Sequence, residues 1–262
     1  MPYLLKSMFA LALLVGLAAC SSDSDDKSAD RDDVKTDMTE DEQNDTVVLP
    51  PFVSEEIVFE GLTYKTVQSP YTGRVWLDRN MGASKLCESI DDAACFGGLY
   101  QWGRLSDGHE DNESQTTDVK SDTIDNAGNK FIVQSEWTTD EADGDGSLRS
   151  WQWSKSDGSS VCPVGFRVPT IDELSLEAEK GSLSTIDIAY ASFWNLPAGK
   201  YRGYLGPVVS DNGMTCLWSV TLPFDEALTY HANPLCLGHD EGYTTTSNTY
   251  HGMGHHIRCI KP

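Results

Sequence analysis

Apolar and polar residues alternate over 57–67, the period-two pattern of a strand with one buried face. Ser69-Pro70-Tyr71-Thr72-Gly73 then supplies turn chemistry, and 74–77 resumes as a strand, so the stretch predicts a β-hairpin. A different signal follows Pro169. Thr170 and Glu173 stand at the N-cap and N3 positions of a capping box, which predicts a helix that Gly181 stops. A second short helix is predicted over 186–194, ending before Pro197. Residues 200–205, 217–221 and 256–260 read as short strands separated by Gly, Asn and Pro. Two helices among many short strands predict an α+β fold rather than a parallel α/β sheet.

The N-terminus carries an address. Lys6 precedes an apolar run over 8–19. That run is shorter than the roughly 20 residues a spanning helix takes, and it suits the core of a signal peptide. It ends in Leu17-Ala18-Ala19-Cys20, which resembles the bacterial lipobox, where the Cys is acylated and becomes the new N-terminus. Residues 1–19 are therefore expected to be a lipoprotein signal peptide and Cys20 the lipidation site. Each buried CH₂ of an acyl chain contributes about 0.8 kcal/mol, so two or three chains anchor stably. Ser21 is similar to residues that permit transfer to the outer membrane of Gram-negative bacteria. The expected location is the bacterial outer membrane, lipid-anchored, on its periplasmic or its exposed face.

Residues 21–50 hold eleven acidic and three basic residues and no aromatic one, a composition that cannot offset its own ordering entropy. Residues 20–50 are expected to be a lipidated Cys followed by a disordered acidic tether. Asp23, Asp25 and Asp26 loosely resemble the acidic run that follows the lipid Cys in surface-exported Bacteroidetes lipoproteins. From 51 to 262 aromatic residues and Gly recur without a second linker, which predicts one domain. Residues 106–146 read as a polar, acidic insertion on it, with Phe131, Ile132, Val133 and Trp137 as apolar anchors.

Composition sharpens the choice of partner. The 262 residues carry 41 Asp+Glu against 19 Lys+Arg, a formal charge of −22. Such a surface repels phosphate backbones and anionic lipid headgroups, so nucleic acid is not an expected partner and membrane contact runs through the lipid alone.

Several strings resemble one bacterial family. They are Ser69-Pro70-Tyr71-Thr72-Gly73-Arg74-Val75-Trp76-Leu77-Asp78-Arg79-Asn80-Met81-Gly82-Ala83, then Leu99-Tyr100-Gln101-Trp102-Gly103-Arg104 and Asp107-Gly108-His109. Cys162-Pro163-Val164-Gly165-Phe166-Arg167-Val168-Pro169-Thr170 follows with Glu173-Leu174, and Leu217-Trp218-Ser219 and Ile257-Arg258-Cys259 close the series. In this order they look like the Fibrobacter succinogenes major paralogous domain, over about 56–262. The chain departs from that pattern in its acidic insertion after His109 and in Phe166, where Trp is common. The family is similar to the C-type-lectin-like fold. The resemblance therefore implies a mixed β structure with two flanking helices, stabilised by disulfides, in secreted or lipid-anchored proteins without a common reaction.

Candidate chemistry is sparse. Trp76, Trp102 and Trp218 read as core, and Arg79, Arg104 and Arg167 as partners of buried carboxylates. Glu141, Asp143 and Asp145, followed by Gly146, partly match the spacing of a Ca²⁺ loop. Gln152 stands where such a loop needs a bidentate carboxylate, so an acidic turn is the default reading. His251 and His255 have zinc-helix spacing, but Gly252 and Gly254 oppose a helix; with His231, His239 and His256 they are read as ordinary strand or surface residues. No cofactor is expected, with Ca²⁺ at the acidic turn kept as the alternative. The G-x-S-x-G, H-E-x-x-H, P-loop and G-x-G-x-x-G motifs are missing. The lectin-like fold also hosts formylglycine-generating oxidases, which use two closely spaced C-terminal Cys. Here Cys216, Cys236 and Cys259 lie 20 and 23 apart.

With Cys20 assigned to lipid, six cysteines remain for an oxidising compartment, where paired thiols persist. Cys87 and Cys95 flank a short polar loop and are expected to pair. Spacing alone leaves the other four open. The lectin-like resemblance implies Cys162–Cys259, a bridge from the first helix to the last strand, which leaves Cys216–Cys236. The expected function is a non-enzymatic cell-envelope lipoprotein presenting a lectin-like domain for binding or adhesion, with a glycan or protein ligand. The alternatives are a structural envelope protein without ligand and, behind it, an enzyme on the formylglycine-generating fold.

Overall fold

The predicted hairpin forms across the 69–73 turn, and its first strand folds back on itself at a place the alternation hides. Glu60 and Gly61 both take positive φ, 48° and 77°, the backbone of a tight two-residue turn. The run over 57–67 is thus two strands, β1 (Glu56–Phe59) and β2 (Leu62–Gln68), paired with Phe59 opposite Leu62. The turn at 69–73 leads into β3 (Val75–Leu77), and the three form one antiparallel sheet in the order β1-β2-β3.

This computed structural model describes residues 51–262 apart from 210–212, 224, 226–227, 240–243 and 246–248. The expected signal peptide, Cys20 and the tether to residue 50 lie outside the described residues. Pro50–Pro262 forms one unit, and its mixed α+β architecture consists of small sheets and short helices.

After β3 come β4 (Tyr100–Gln101), β5 (Thr116–Thr117) and β6 (Phe131–Ile132), the last two parallel. Two helices follow that were not expected, α1 (Asp140–Asp143) inside the expected insertion and α2 (Ser147–Ser154) just after it. Their buried residues are Asp143, Arg149, Gln152 and Trp153, mostly polar, so no apolar stripe marks them in the sequence. The insertion is also more deeply packed than its composition suggests: Phe131, Ile132, Glu136, Trp137 and Thr138 are all buried.

α3 (Ile171–Lys180) begins with the capping box, Thr170 Oγ1 accepting from the Glu173 amide at 3.2 Å and Glu173 accepting from the Thr170 amide at 2.9 Å. α4 (Ile186–Ala191) stops earlier than expected. Ser192 turns extended and its hydroxyl takes the Trp194 amide, which frees Trp194 and Leu196 to enter the core. The remaining strands are β7 (Tyr201–Arg202), β8 (Val208–Val209), β9 (Thr215–Leu217), β10 (His231–Ala232), β11 (Leu235–Leu237), β12 (Thr244–Thr245), β13 (Thr249–Tyr250) and β14 (Gly254–His255). They build sheets β4-β14-β7-β8 and β12-β11-β9 and the pair β10-β13.

The C-terminal segment crosses the whole unit. Leu77 and Met81 donate to the carbonyls of Cys259 and Ile257, and Arg167 and Ile260 exchange backbone hydrogen bonds. Three disulfides pin this arrangement. Cys162–Cys259 joins the segment before α3 to the C-terminal segment, Cys216–Cys236 links directly opposed residues of β9 and β11, and Cys87–Cys95 closes a local loop.

Trp76, Trp102 and Trp218 are fully buried. The Trp102 indole donates to the Ser219 carbonyl and the Trp218 indole to the Tyr100 carbonyl, at 2.8 and 2.7 Å, so burial leaves neither N–H unpaired. Arg79, Arg104 and Arg167 meet Asp78, Asp107 and Glu173 at 3.0, 2.9 and 2.7 Å.

Candidate functional site

Gln101 organises the centre of the domain. Its amide nitrogen donates to the carbonyls of Ile132 and Gly252, and its Oε1 accepts from Arg104 and from the Ile132 amide. Its backbone amide donates to Nε2 of the buried His109 at 3.0 Å. That contact fixes the tautomer: Nε2 is the acceptor, so the ring proton sits on Nδ1 and is donated to Asp107 Oδ1 at 2.7 Å.

Asp107, His109 and Glu110 bring three metal-type ligand atoms within 4.8 Å of one another, the only such trio among the described residues. Their chemistry does not fit an ion. His109 has no free lone pair, Asp107 Oδ2 accepts from Arg104 Nε, and Glu110 Oε2 accepts from the Gly108 amide. The trio is a hydrogen-bonded knot that sets the path of the 106–112 loop.

The sequence-derived metal candidates are engaged in the same way. Asp143 accepts from the amides of Leu148 and Arg149 and from Arg149 Nε, and Asp145 accepts from the Ser147 amide. Glu141 lies in α1, so the segment is a helical turn that caps α2 rather than a loop wrapped around Ca²⁺. His251 faces two oxygens, Glu136 Oε2 at 2.6 Å and the His231 carbonyl at 2.8 Å, and stacks on Trp102. Glu136 also pairs with Arg149, both fully buried, and these bonds hold its carboxyl far below the usual range against the opposing effect of burial. His255 packs edge-on against Trp218 instead. The two histidines therefore serve separate parts of the core.

Beside the His109 knot, a cleft of about 400 Å³ opens between the β1–β2 turn, the glycines at 82, 97 and 98, and the 108–112 loop. Its polar groups are Glu60, Tyr100, Glu110, Asp111 and Asn112. Glycine is required at its floor. A Cβ on Gly98 would lie 2.8 Å from the Tyr100 ring and 3.1 Å from Glu110, and one on Gly97 would lie 2.4 Å from the Met81 carbonyl oxygen. Ser106 Oγ stands close enough to Glu60 and Tyr100 to act on both, yet it is shielded from solvent and closes no hydrogen bond.

The carboxylates differ. Partial burial, with the Glu110 charge behind it, raises the Glu60 carboxyl above its ordinary value. Burial also opposes ionisation of Glu110, but bonds from His109 and the Gly108 amide outweigh it and hold the group low. Burial raises the Tyr100 phenol well above its usual range. Around the loop lies a smaller cleft of about 200 Å³, which shares Gly108 and Asp111 and adds Glu113, Ser114, Gln115 and Asn129. Arg202 fixes the loop between the two: it donates to the Asp111 carbonyl and to Ser114 Oγ and O, and its guanidinium lies over the Phe131 ring at 4.2 Å.

A further recess of about 500 Å³ beside Ile90, Phe96, Lys200 and His239 borders segments outside the described residues. Sequence reasoning did not single out Glu60, Ser106, Glu110 or Asn112, and it treated Tyr100 only as part of a motif. The doublet Gly97-Gly98 was the one local signal for a close backbone approach. No family model matches the chain, and neither a curated protein nor a solved structure is significantly similar to it.

Proposed function

We propose that the protein is a cell-envelope lipoprotein, anchored through Cys20 in the bacterial outer membrane, that presents a C-type-lectin-like domain for binding a glycan or protein ligand rather than for catalysis. The observation that carries this reading is the glycine-floored cleft beside Tyr100. It is open, its walls offer carboxylate, hydroxyl and amide groups, and its loop is fastened by Arg202 and the His109 knot. Groups fixed in advance lose little entropy when a ligand arrives. The disulfides support the lectin-like reading of the fold. One ties the entrance of α3 to the C-terminal segment and another bounds the later loop region, as the bridges of such folds do.

A glycan array probed with the purified full-length protein, with and without Ca²⁺, tests the reading. Specific, saturable hits are expected. An array without hits, together with turnover of a substrate that one polar substitution in the cleft abolishes, would overturn it.

A further inference from the structure

We infer that His251 is a buried imidazolium, and that its second proton clasps the insertion and α2 to the C-terminal strands, so that losing it releases them. The clasp lies against Trp102 in the core and does not depend on the ligand reading.

Both ring nitrogens face acceptors. Nδ1 lies 2.6 Å from Glu136 Oε2, and Nε2 lies 2.8 Å from the His231 carbonyl. A carbonyl oxygen donates nothing. Glu136 does not donate either. Arg149 Nη1 and Nη2 and the Thr138 amide and hydroxyl all donate to it, and they hold it ionised despite burial. A neutral imidazole has one N–H, so one of its two contacts would set lone pair against lone pair. The imidazolium supplies both donors. His109 makes the contrast. It is buried as deeply, but a backbone amide donates to its Nε2, and one ring proton satisfies it.

Burial, with the Arg149 charge behind it, opposes the second proton, while Glu136 and the His231 carbonyl favour it. Charge balance decides between them. Arg149 meets Glu136 at 2.7 Å and Asp143 at 2.8 Å, and all three side chains are buried. With a neutral His251, two carboxylates share one guanidinium and a buried charge stands uncompensated, which is costly. With the imidazolium, two anions meet two cations. The other groups packed nearby supply no such charge. Arg104 lies over the Trp137 ring and is paired with Asp107, and burial draws the His231 ring below its ordinary value. Lys120 lies over the half-buried Tyr230 ring, whose hydroxyl donates to Asp140. Trp102 stacks on His251 with centroids 4.2 Å apart, presenting the ring face that attracts a cation.

The partners come from separate elements. Glu136 follows β6, Asp143 closes α1, Arg149 lies in α2, His231 in β10, and His251 follows β13. Glu136 keeps the Nδ1 proton, so a base in solution takes the one on Nε2. The Nε2 lone pair then faces the His231 carbonyl, and the bond to β10 is lost. A group that holds its proton more tightly when folded stabilises the fold below its unfolded value, and that contribution fades as pH rises through the folded one.

The test is a pH titration of the full chain labelled with ¹⁵N-histidine, reading the protonation of each ring nitrogen by NMR, with His251→Gln identifying the signal. Both His251 nitrogens are expected to carry protons at pH 7, where a free side chain, titrating at about 6.5, is mostly neutral. As pH rises, Nε2 should lose its proton first. Hydrogen-exchange protection of the β10 and β13 amides, corrected for the intrinsic pH dependence, should fall with it by about tenfold, equivalent to about 1.4 kcal/mol. In Glu136→Gln the anion is gone and the ring should hold a single proton at pH 7. A wild-type ring with one bare nitrogen at pH 7 would overturn the inference, and that result needs no variant. Two protons retained in Glu136→Gln would overturn the charge balance, and protection unchanged as the proton leaves would overturn the release.

Discussion

Asn80 Oδ1 accepts two hydrogen bonds from Arg258, from Nε at 3.1 Å and from Nη2 at 3.0 Å, and both side chains are fully buried. The remaining Nη1 donates to the Trp194 carbonyl at 2.7 Å. No carboxylate lies within 4.0 Å of the guanidinium among the described residues, and burial draws it down to about 9. A neutral amide and a carbonyl thus hold a buried cation where the C-terminal segment meets the loop after β3.

Asn80→Leu removes the acceptor of two of those three hydrogen bonds and leaves the charge in place. Stability should fall by about 3 kcal/mol, since hydrogen bonds to buried charged groups contribute more than neutral ones. Urea unfolding of the variant measures it. A loss under about 1 kcal/mol would show that the guanidinium finds other partners.

Acid should weaken the fold through His255 and His256. Burial lowers them to about 3 and about 4, from 6.5 for the free side chain. Between those values the unfolded chain binds protons that the folded one does not. Stability is therefore intact above about pH 6.5 and falls as pH drops toward 4, by about 1 kcal/mol per pH unit for each group. Glu173, held at about 2 by its arginine partners and the Thr170 amide despite burial, contributes above its ordinary 4.5 and loses that contribution at lower pH. Denaturant midpoints across this range check the order. A midpoint constant from neutral pH to pH 4 would contradict it.

The disulfides should differ in weight. Cys162–Cys259 spans 97 residues and Cys87–Cys95 spans 8. A closed loop near 100 residues contributes about 4.7 kcal/mol in the chain-entropy model, and one near 15 about 3 kcal/mol. Replacing both cysteines of the long bridge by Ala should cost more than replacing the local pair. The reverse order in unfolding experiments would contradict the expectation, and non-reducing peptide maps check the pairing itself.

Cys20→Ala should release the protein from membranes or leave it unprocessed, because the lipobox cysteine is the expected anchor. Fractionation with palmitate labelling reads the result. A membrane-associated protein with a free Cys20 thiol would contradict it.

Local chemistry made much of this legible in the sequence. Thr170 and Glu173 announce α3 because a capping box is complete within four residues. The disulfide pairs followed from an even count, one short loop and a resemblance. Helix α2 stayed hidden because Arg149 and Gln152 occupy its buried face and satisfy their polarity through Glu136, Asp143 and Ser159, contacts no periodicity encodes. The β1–β2 turn was masked because the apolar–polar alternation runs across Glu60 and Gly61. The cleft was illegible for a related reason. Its groups come from residue 60 through residue 112, and in a chain with 41 acidic residues nothing local marks Glu60 or Glu110 among them.

In the proposed function, the cleft beside Tyr100 is where this protein meets its ligand. The most direct measurement is a paired glycan array of the wild-type protein and Tyr100→Phe, with unfolding midpoints recorded for both. Hits are expected whose signal falls by about tenfold in the variant, the worth of one hydrogen bond to a bound ligand, while the midpoint barely moves. Hits of equal strength in both proteins would place the ligand elsewhere and contradict it.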